Sequence, residues 1–175
     1  MLGLGNSLAL GGAISSLTNT YSLDFDGTDD YVRVADHSSL DVTSAMSVSL
    51  WAKGASASPT GNDAHISKYK SSNGNRSWNI AITNGRTVQM YLSGDGGSPA
   101  TITTGVLAAD LSGWNHYVYT FSSGTMKVYY NASEVATSGT PPEALYSAAA
   151  DLVIGAEDDG TGGYFAGNID EVAIW

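Results

Sequence analysis

Glu157, Asp158 and Asp159 stand consecutively in IGAEDDGTGG, residues 154–163, with glycines on both sides. Carboxylates crowded in this way repel one another unless a cation or solvent offsets their charge. A hard cation such as calcium suits them, because it gathers carboxylate, amide and carbonyl oxygens at one point. The segment joins an apolar strand, Leu152 to Ile154, to a closing strand carrying Ile169, Val172, Ile174 and Trp175. It is therefore a candidate metal loop, and a merely solvated acidic loop is the competing reading.

Other chemistries lack their residues. Cleavage of a glycosidic bond needs two carboxylates aimed into one cleft, which on a strand requires alternating acidic positions. The four glutamates, Glu134, Glu143, Glu157 and Glu171, form no such pattern. His37, His65 and His116 are scattered, and His116 and Tyr117 alternate to opposite faces of a strand. No Gly-x-Ser-x-Gly elbow is present. With no cysteine, the chain has neither disulfides nor a thiolate zinc site. We expect no enzymatic activity.

Bulk properties agree with a binding or structural role. Seventeen acidic residues against seven basic give a formal charge of −10, and seven scattered cations cannot neutralise a phosphate backbone. Nucleic acid is excluded as an expected partner. No apolar run approaches the length of a membrane span. The opening MLGLGNSLALGG carries no Lys or Arg ahead of its apolar part, so it does not read as a secretory signal. We assign residues 1–20 to an arm or first edge strand and 21–175 to a single domain.

Strand-like alternation runs through that domain and helical periodicity is nearly absent. MSVSLWAK puts Met46, Val48, Leu50 and Ala52 on one face. Trp78 to Thr83 and Thr87 to Leu92 flank Asn84-Gly85, a two-residue hairpin signal with positive φ at both turn positions. Asn115 to Ser122 and Thr125 to Asn131 flank Ser123-Gly124, and Ser133 to Thr137 forms a further short strand. Two long loops are expected, Gly54 to Ala64 and Thr137 to Ala150, the latter with one helical turn between Glu143 and Ala150. So many short antiparallel strands close best as a two-sheet jelly-roll sandwich, an all-β fold. Trp51, Trp114 and Trp175 are expected in the core, whereas Tyr69, Tyr146 and Tyr164, in or near loops, are the candidates for ligand contact.

Three segments carry a resemblance: SLDFDGTDDYVRV (22–34), VSLWAK (48–53) and GNIDEVAIW (167–175). Together they resemble the opening hairpin, core strand and closing strand of the laminin G-like and pentraxin-like jelly roll, the concanavalin A-like fold. The acidic loop is similar to the pentraxin calcium loop. That resemblance implies Glu157 and Asp159 as side-chain ligands, Asp158 as a carbonyl ligand, and one calcium ion. Asn62-Asp63 completes the set where pentraxins carry an Asp-Asn pair, in the reverse order. A second, weaker site is implied by related glucanases, in which the closing-strand aspartate helps hold a structural calcium; here it would be Asp170 with Asp24 or Asp26.

The apolar, glycine-rich arm resembles N-termini of bacteriophage structural proteins that carry this sandwich. The resemblance implies a subunit of a repeated assembly on a virion surface, a capsid decoration or tail appendage recognising a glycan or a protein surface. A secreted bacterial adhesin domain, a virion subunit with no ligand, and a divergent glycan-cleaving enzyme remain as alternatives.

Overall fold

The structure, a computed structural model, describes residues 19–175. The arm's residues 1–18 lie outside the described residues. Among the described residues, thirteen strands form two antiparallel sheets. The six-stranded sheet is ordered β1 (Leu23–Asp26), β13 (Ala166–Ile174), β3 (Ala45–Gly54), β8 (Asn115–Ser122), β9 (Thr125–Tyr130), β10 (Ser133–Val135). The seven-stranded sheet is ordered β11 (Thr137–Ser138), β7 (Ala100–Thr104), β6 (Val88–Leu92), β5 (Asn75–Thr83), β4 (Asn62–Lys70), β12 (Leu152–Ile154), β2 (Val32–Val34). Alternate residues of facing strands fill the space between the sheets. Met46, Val48, Leu50 and Ala52 meet Ile66, Ile80, Ile82, Met90 and Ile102 there. This is the expected all-β sandwich.

His65 and Lys68 are among the polar residues buried in it. His65 donates to or accepts from the Tyr119 hydroxyl at 2.9 Å, and Tyr117 and Phe165 meet its ring edge-on. Lys68 is buried, with its Nζ 2.6 Å from Asp36, 3.3 Å from Asp41 and 2.8 Å from the Ala150 carbonyl. A buried ammonium requires such partners.

The structure corrects several local expectations. Segment 22–34 is not a hairpin: β1 pairs with β13 and β2 pairs with β12, in opposite sheets. Asp26 explains the parting, because its carboxylate accepts from the backbone of Thr28 and Asp29 and turns the chain. The β5–β6 hairpin exists, but its positive φ falls on Arg86 (58°), not on Asn84-Gly85. Thr83 closes a turn onto Arg86 at 2.8 Å, and its hydroxyl bonds that of Thr87 at 2.8 Å. The turn is the three-residue kind with a left-handed last residue. At Ser123-Gly124, by contrast, both residues take positive φ, as a two-residue turn demands.

Glu143 to Ala150 forms no helix. Its backbone bonds outward instead, Leu145 N to Thr43 O at 2.7 Å and Tyr146 N to Ser93 O at 2.8 Å, while Leu145, Ala148 and Ala150 are buried. Tertiary partners take the hydrogen bonds a helical turn would have used. A short 3-10 helix occurs elsewhere, at Ser38–Leu40, capped by His37. The Gly54–Ala64 loop is shorter than expected, since β4 already begins at Asn62.

The tryptophans are also rearranged. Trp51, Trp114 and Trp175 are 37%, 43% and 66% exposed, whereas Trp78 is 1% exposed in the core. The alternation of β3 accounts for Trp51: a face made by residues 46, 48, 50 and 52 leaves 51 on the other side.

Candidate functional site

The loop from Gly155 to Gly163 folds back on itself. Glu157 N donates to Gly162 O at 2.8 Å, and the Glu157 carbonyl accepts from Gly160 N at 2.9 Å and Thr161 N at 3.1 Å. Asp158 (φ 53°) and Asp159 (φ 59°) both adopt the left-handed conformation. That conformation is uncommon outside glycine, but Asp tolerates it better than most residues. The three carboxylates consequently diverge.

Asp158 accepts from the backbone and hydroxyl of Ser71, and its carbonyl accepts from Thr161 Oγ1 at 2.8 Å. Asp159 pairs with Lys70 at 2.6 Å and accepts from the backbone of Asp151. Glu157 turns the other way. It lines an open depression of about 540 Å³ together with Asn62, Asp63, Thr60, Asn84 and Tyr164. The backbone bond from Ala64 N to Gly163 O, 2.7 Å, ties the loop to β4 and brings these residues together. Of the five residues named for the first metal site, three therefore share one depression, and Asp158 and Asp159 face Ser71 and Lys70.

Burial pushes the carboxyl groups of both Glu157 and Asp63 above the usual range. For Glu157 a hydrogen bond from Asn79 Nδ2 opposes this shift, and the charge of Asp158 adds to it. For Asp63 the opposing contact is the backbone of Ala166. Neither carboxylate has a lysine or arginine partner among the described residues. Asn79 itself is fully buried, and its Oδ1 has no hydrogen-bond partner among the described residues. In the depression Glu157 and Asp63 offer carboxylates and Asn62 a side-chain amide, oxygen groups of the kind a hard cation takes. Asn79 was missed from sequence. Its signal was the polar position in WNIAIT, on the face opposite Trp78 and Ile80.

The weaker set is not assembled in the same way. Asp24 accepts from Asn168 at 3.0 Å, and Asp170 accepts from Asn19 at 2.6 Å and from Glu171 N at 2.8 Å. Asp26 gathers instead with Asp29 and Asp30, all exposed, with one carboxylate oxygen from each within 4.8 Å of the others. The three tyrosines also separate. Tyr164 is in the depression and donates to Gly160 O at 2.9 Å. Tyr69 lies on β4 beside Tyr91, ring centroids 6.4 Å apart, with Arg76 over its ring. Tyr146 packs on Gly96, where an added Cβ would come 2.7 Å from its ring.

A family model of the laminin G type, described as the concanavalin A-like lectin/glucanases superfamily, matches residues 26–175. The chain belongs to that superfamily. No curated protein matches the sequence. Among solved structures, the carbohydrate-binding module CBM40 of a Ruminococcus gnavus IT-sialidase, bound to α2,3-sialyllactose, superposes with a TM-score of 0.63. Identity is 15%, over 83% of this chain and 89% of that one. Domains LG4-5 of the mouse laminin α1 chain give 0.61 at 14% identity, over 87% of this chain and 40% of that one. A pentraxin of Limulus polyphemus gives 0.59 at 20% identity, over 87% and 74%. At such identities the likeness is one of fold. No helix among the described residues is long and apolar enough to cross a membrane.

Proposed function

We propose that this chain is a non-catalytic module that recognises a glycan, with one calcium ion held in the depression formed by Glu157, Asn62 and Asp63. The observation that carries the reading is the Glu157 carboxylate, desolvated, without a lysine or arginine partner among the described residues, and sharing that depression with Asn62, Asp63 and Tyr164. A cation offsets the charge of the desolvated Glu157 carboxylate and supplies positive charge for sugar hydroxyls. Tyr164, in the same depression, offers a ring for the sugar's apolar face. The fold supports this reading, since the similar structures include a sialyllactose-bound carbohydrate-binding module. Asp158 and Asp159 act through the loop, pinning it to Ser71 and Lys70.

A glycan array probed in millimolar calcium and again in EDTA tests this function. Binding that appears in calcium and disappears in EDTA is expected. Equal binding in both removes the calcium-assisted reading while keeping a glycan ligand, and no binding in either leaves a structural subunit without ligand. The setting we propose is the outside of a virion, supported by the glycine-rich apolar opening of the sequence. Antibody against the domain should decorate intact particles, and labelling confined to host cell walls would move it to a secreted adhesin.

A further inference from the structure

Two of the three exposed tryptophans lie in one place. Trp51 and Trp114 line a single open groove of about 510 Å³ on the outer face of the six-stranded sheet, with Lys53, Asn168, Asp170 and Glu171. The strand registers dictate this grouping. Trp51 on β3 lies opposite Asp170 on β13 and His116 on β8, and Lys53 lies opposite Asn168. A bulge follows Asp170, where Glu171 takes φ 50°. Bulges re-aim side chains, and here Glu171 joins the groove wall.

The Trp51 ring is held in place. His116 lies against it with centroids 5.0 Å apart and planes at 31°, and His116 Nε2 is itself 3.0 Å from Ser49 Oγ. One ring face is thus backed, and a ligand meeting the other face finds an aromatic plane already ordered. Two tryptophans exposed in one groove, rather than singly, mark an interaction surface. The surroundings specify its chemistry. An indole face offers a flat apolar surface, while Lys53, Asn168, Asp170 and Glu171 offer donors and acceptors at its margin. A pyranose ring has the complementary form, with C–H groups on its face and hydroxyls at its rim. The charge is complementary too. One lysine against two carboxylates leaves the groove net negative, on a chain of formal charge −10. Sulfated, sialylated or uronic acid sugars are repelled there and neutral ones are not.

We infer that this groove is a second saccharide site, separate from the Glu157 depression, that takes a neutral pyranose polysaccharide without calcium. The inference extends the glycan reading to another face and rests on it. The two surfaces share no residue.

The test is native affinity electrophoresis of the full chain in EDTA, in gels containing xyloglucan, galactomannan or laminarin. Retardation is expected in at least one gel. Trp51→Ala and Trp114→Ala should each weaken it about tenfold or more, as for a central aromatic anchor. Trp51→Phe should restore part of the loss, each mobility being read relative to the same protein in a gel without polysaccharide. Unchanged unfolding midpoints confirm that the tryptophan variants fold. Three outcomes overturn the inference: no retardation in any gel, tryptophan variants retarded like wild type, or a fall in sedimentation coefficient as the sole effect of Trp51→Ala, which would give the groove to a second copy of the chain. Binding seen only with calcium and lost in Glu157→Gln would remove the groove while leaving the proposed function standing.

Discussion

Glu157 and Asp63 illustrate how a desolvated carboxylate costs stability. Both carboxyl groups are raised by burial, so the fold favours their protonated forms and is penalised at neutral pH, where they ionise. Glu157→Gln keeps an acceptor for Asn79 and removes the charge. In EDTA at pH 7 it should raise the unfolding midpoint by about 1–3 °C. A lower midpoint would show that the charge is already compensated. His65 has the opposite sign. Burial lowers its pKa from 6.5 to about 3, so the native state resists a proton that the unfolded chain accepts. Stability from this residue is complete above about pH 6.5 and declines as pH falls toward 3. NMR titration should find the His65 ring still neutral at about pH 4, and protonation near 6.5 would contradict its burial. The tryptophans divide in the same manner. Trp78→Ala should cost about 3–5 kcal/mol by urea denaturation, and Trp114→Ala no more than about 0.5 kcal/mol. At this scale Glu157, Asn62 and Asp63 were legible as a group through the resemblance, and Tyr164 only as an aromatic in a loop. The divergence of Asp158 and Asp159 was not, because it depends on two left-handed φ angles that residue type permits without requiring.

Among the elements, short strands succeed here because each turn has the residue it needs. Gly155 shows the demand most sharply. It sits at φ 80°, and a Cβ there would come 2.4 Å from the Phe25 ring. Gly155→Ala should therefore destabilise the domain by about 1–3 kcal/mol through strain and overpacking, read as a lower urea midpoint with an unchanged slope. A neutral result would mean that Phe25 can move aside. Strand existence followed from alternation, and β3, β5, β6, β8 and β9 all lie where the pattern placed them. The Glu143 to Ala150 turn failed because Ala and Leu favour helix locally, while the neighbouring strands Ala45–Gly54 and Val88–Leu92 end beside unpaired carbonyls at Thr43 and Ser93 that capture its amides. Likewise β1 and β2 looked like one hairpin, and only the partners β13 and β12, more than a hundred residues later in the chain, send them to opposite sheets. Pairings at that separation leave no local mark in sequence.

For the whole molecule, the sandwich offers separate outward surfaces to ligands, and its strong negative charge bears on each differently. A cation in the Glu157 depression would lower that charge locally, whereas the tryptophan groove has only Lys53 to set against Asp170 and Glu171. The two-sheet architecture was readable from many alternating segments and three motifs. Which face would carry tryptophan was readable only by applying the β3 alternation strictly. The central claim is that the depression binds calcium in the folded state alone, and the thermal midpoint across a calcium titration from an EDTA-treated start tests it most directly. The account predicts a saturable rise with concentration, absent in Glu157→Gln and in Asp63→Asn. A midpoint that stays fixed through millimolar calcium, or rises equally in both variants, would contradict it.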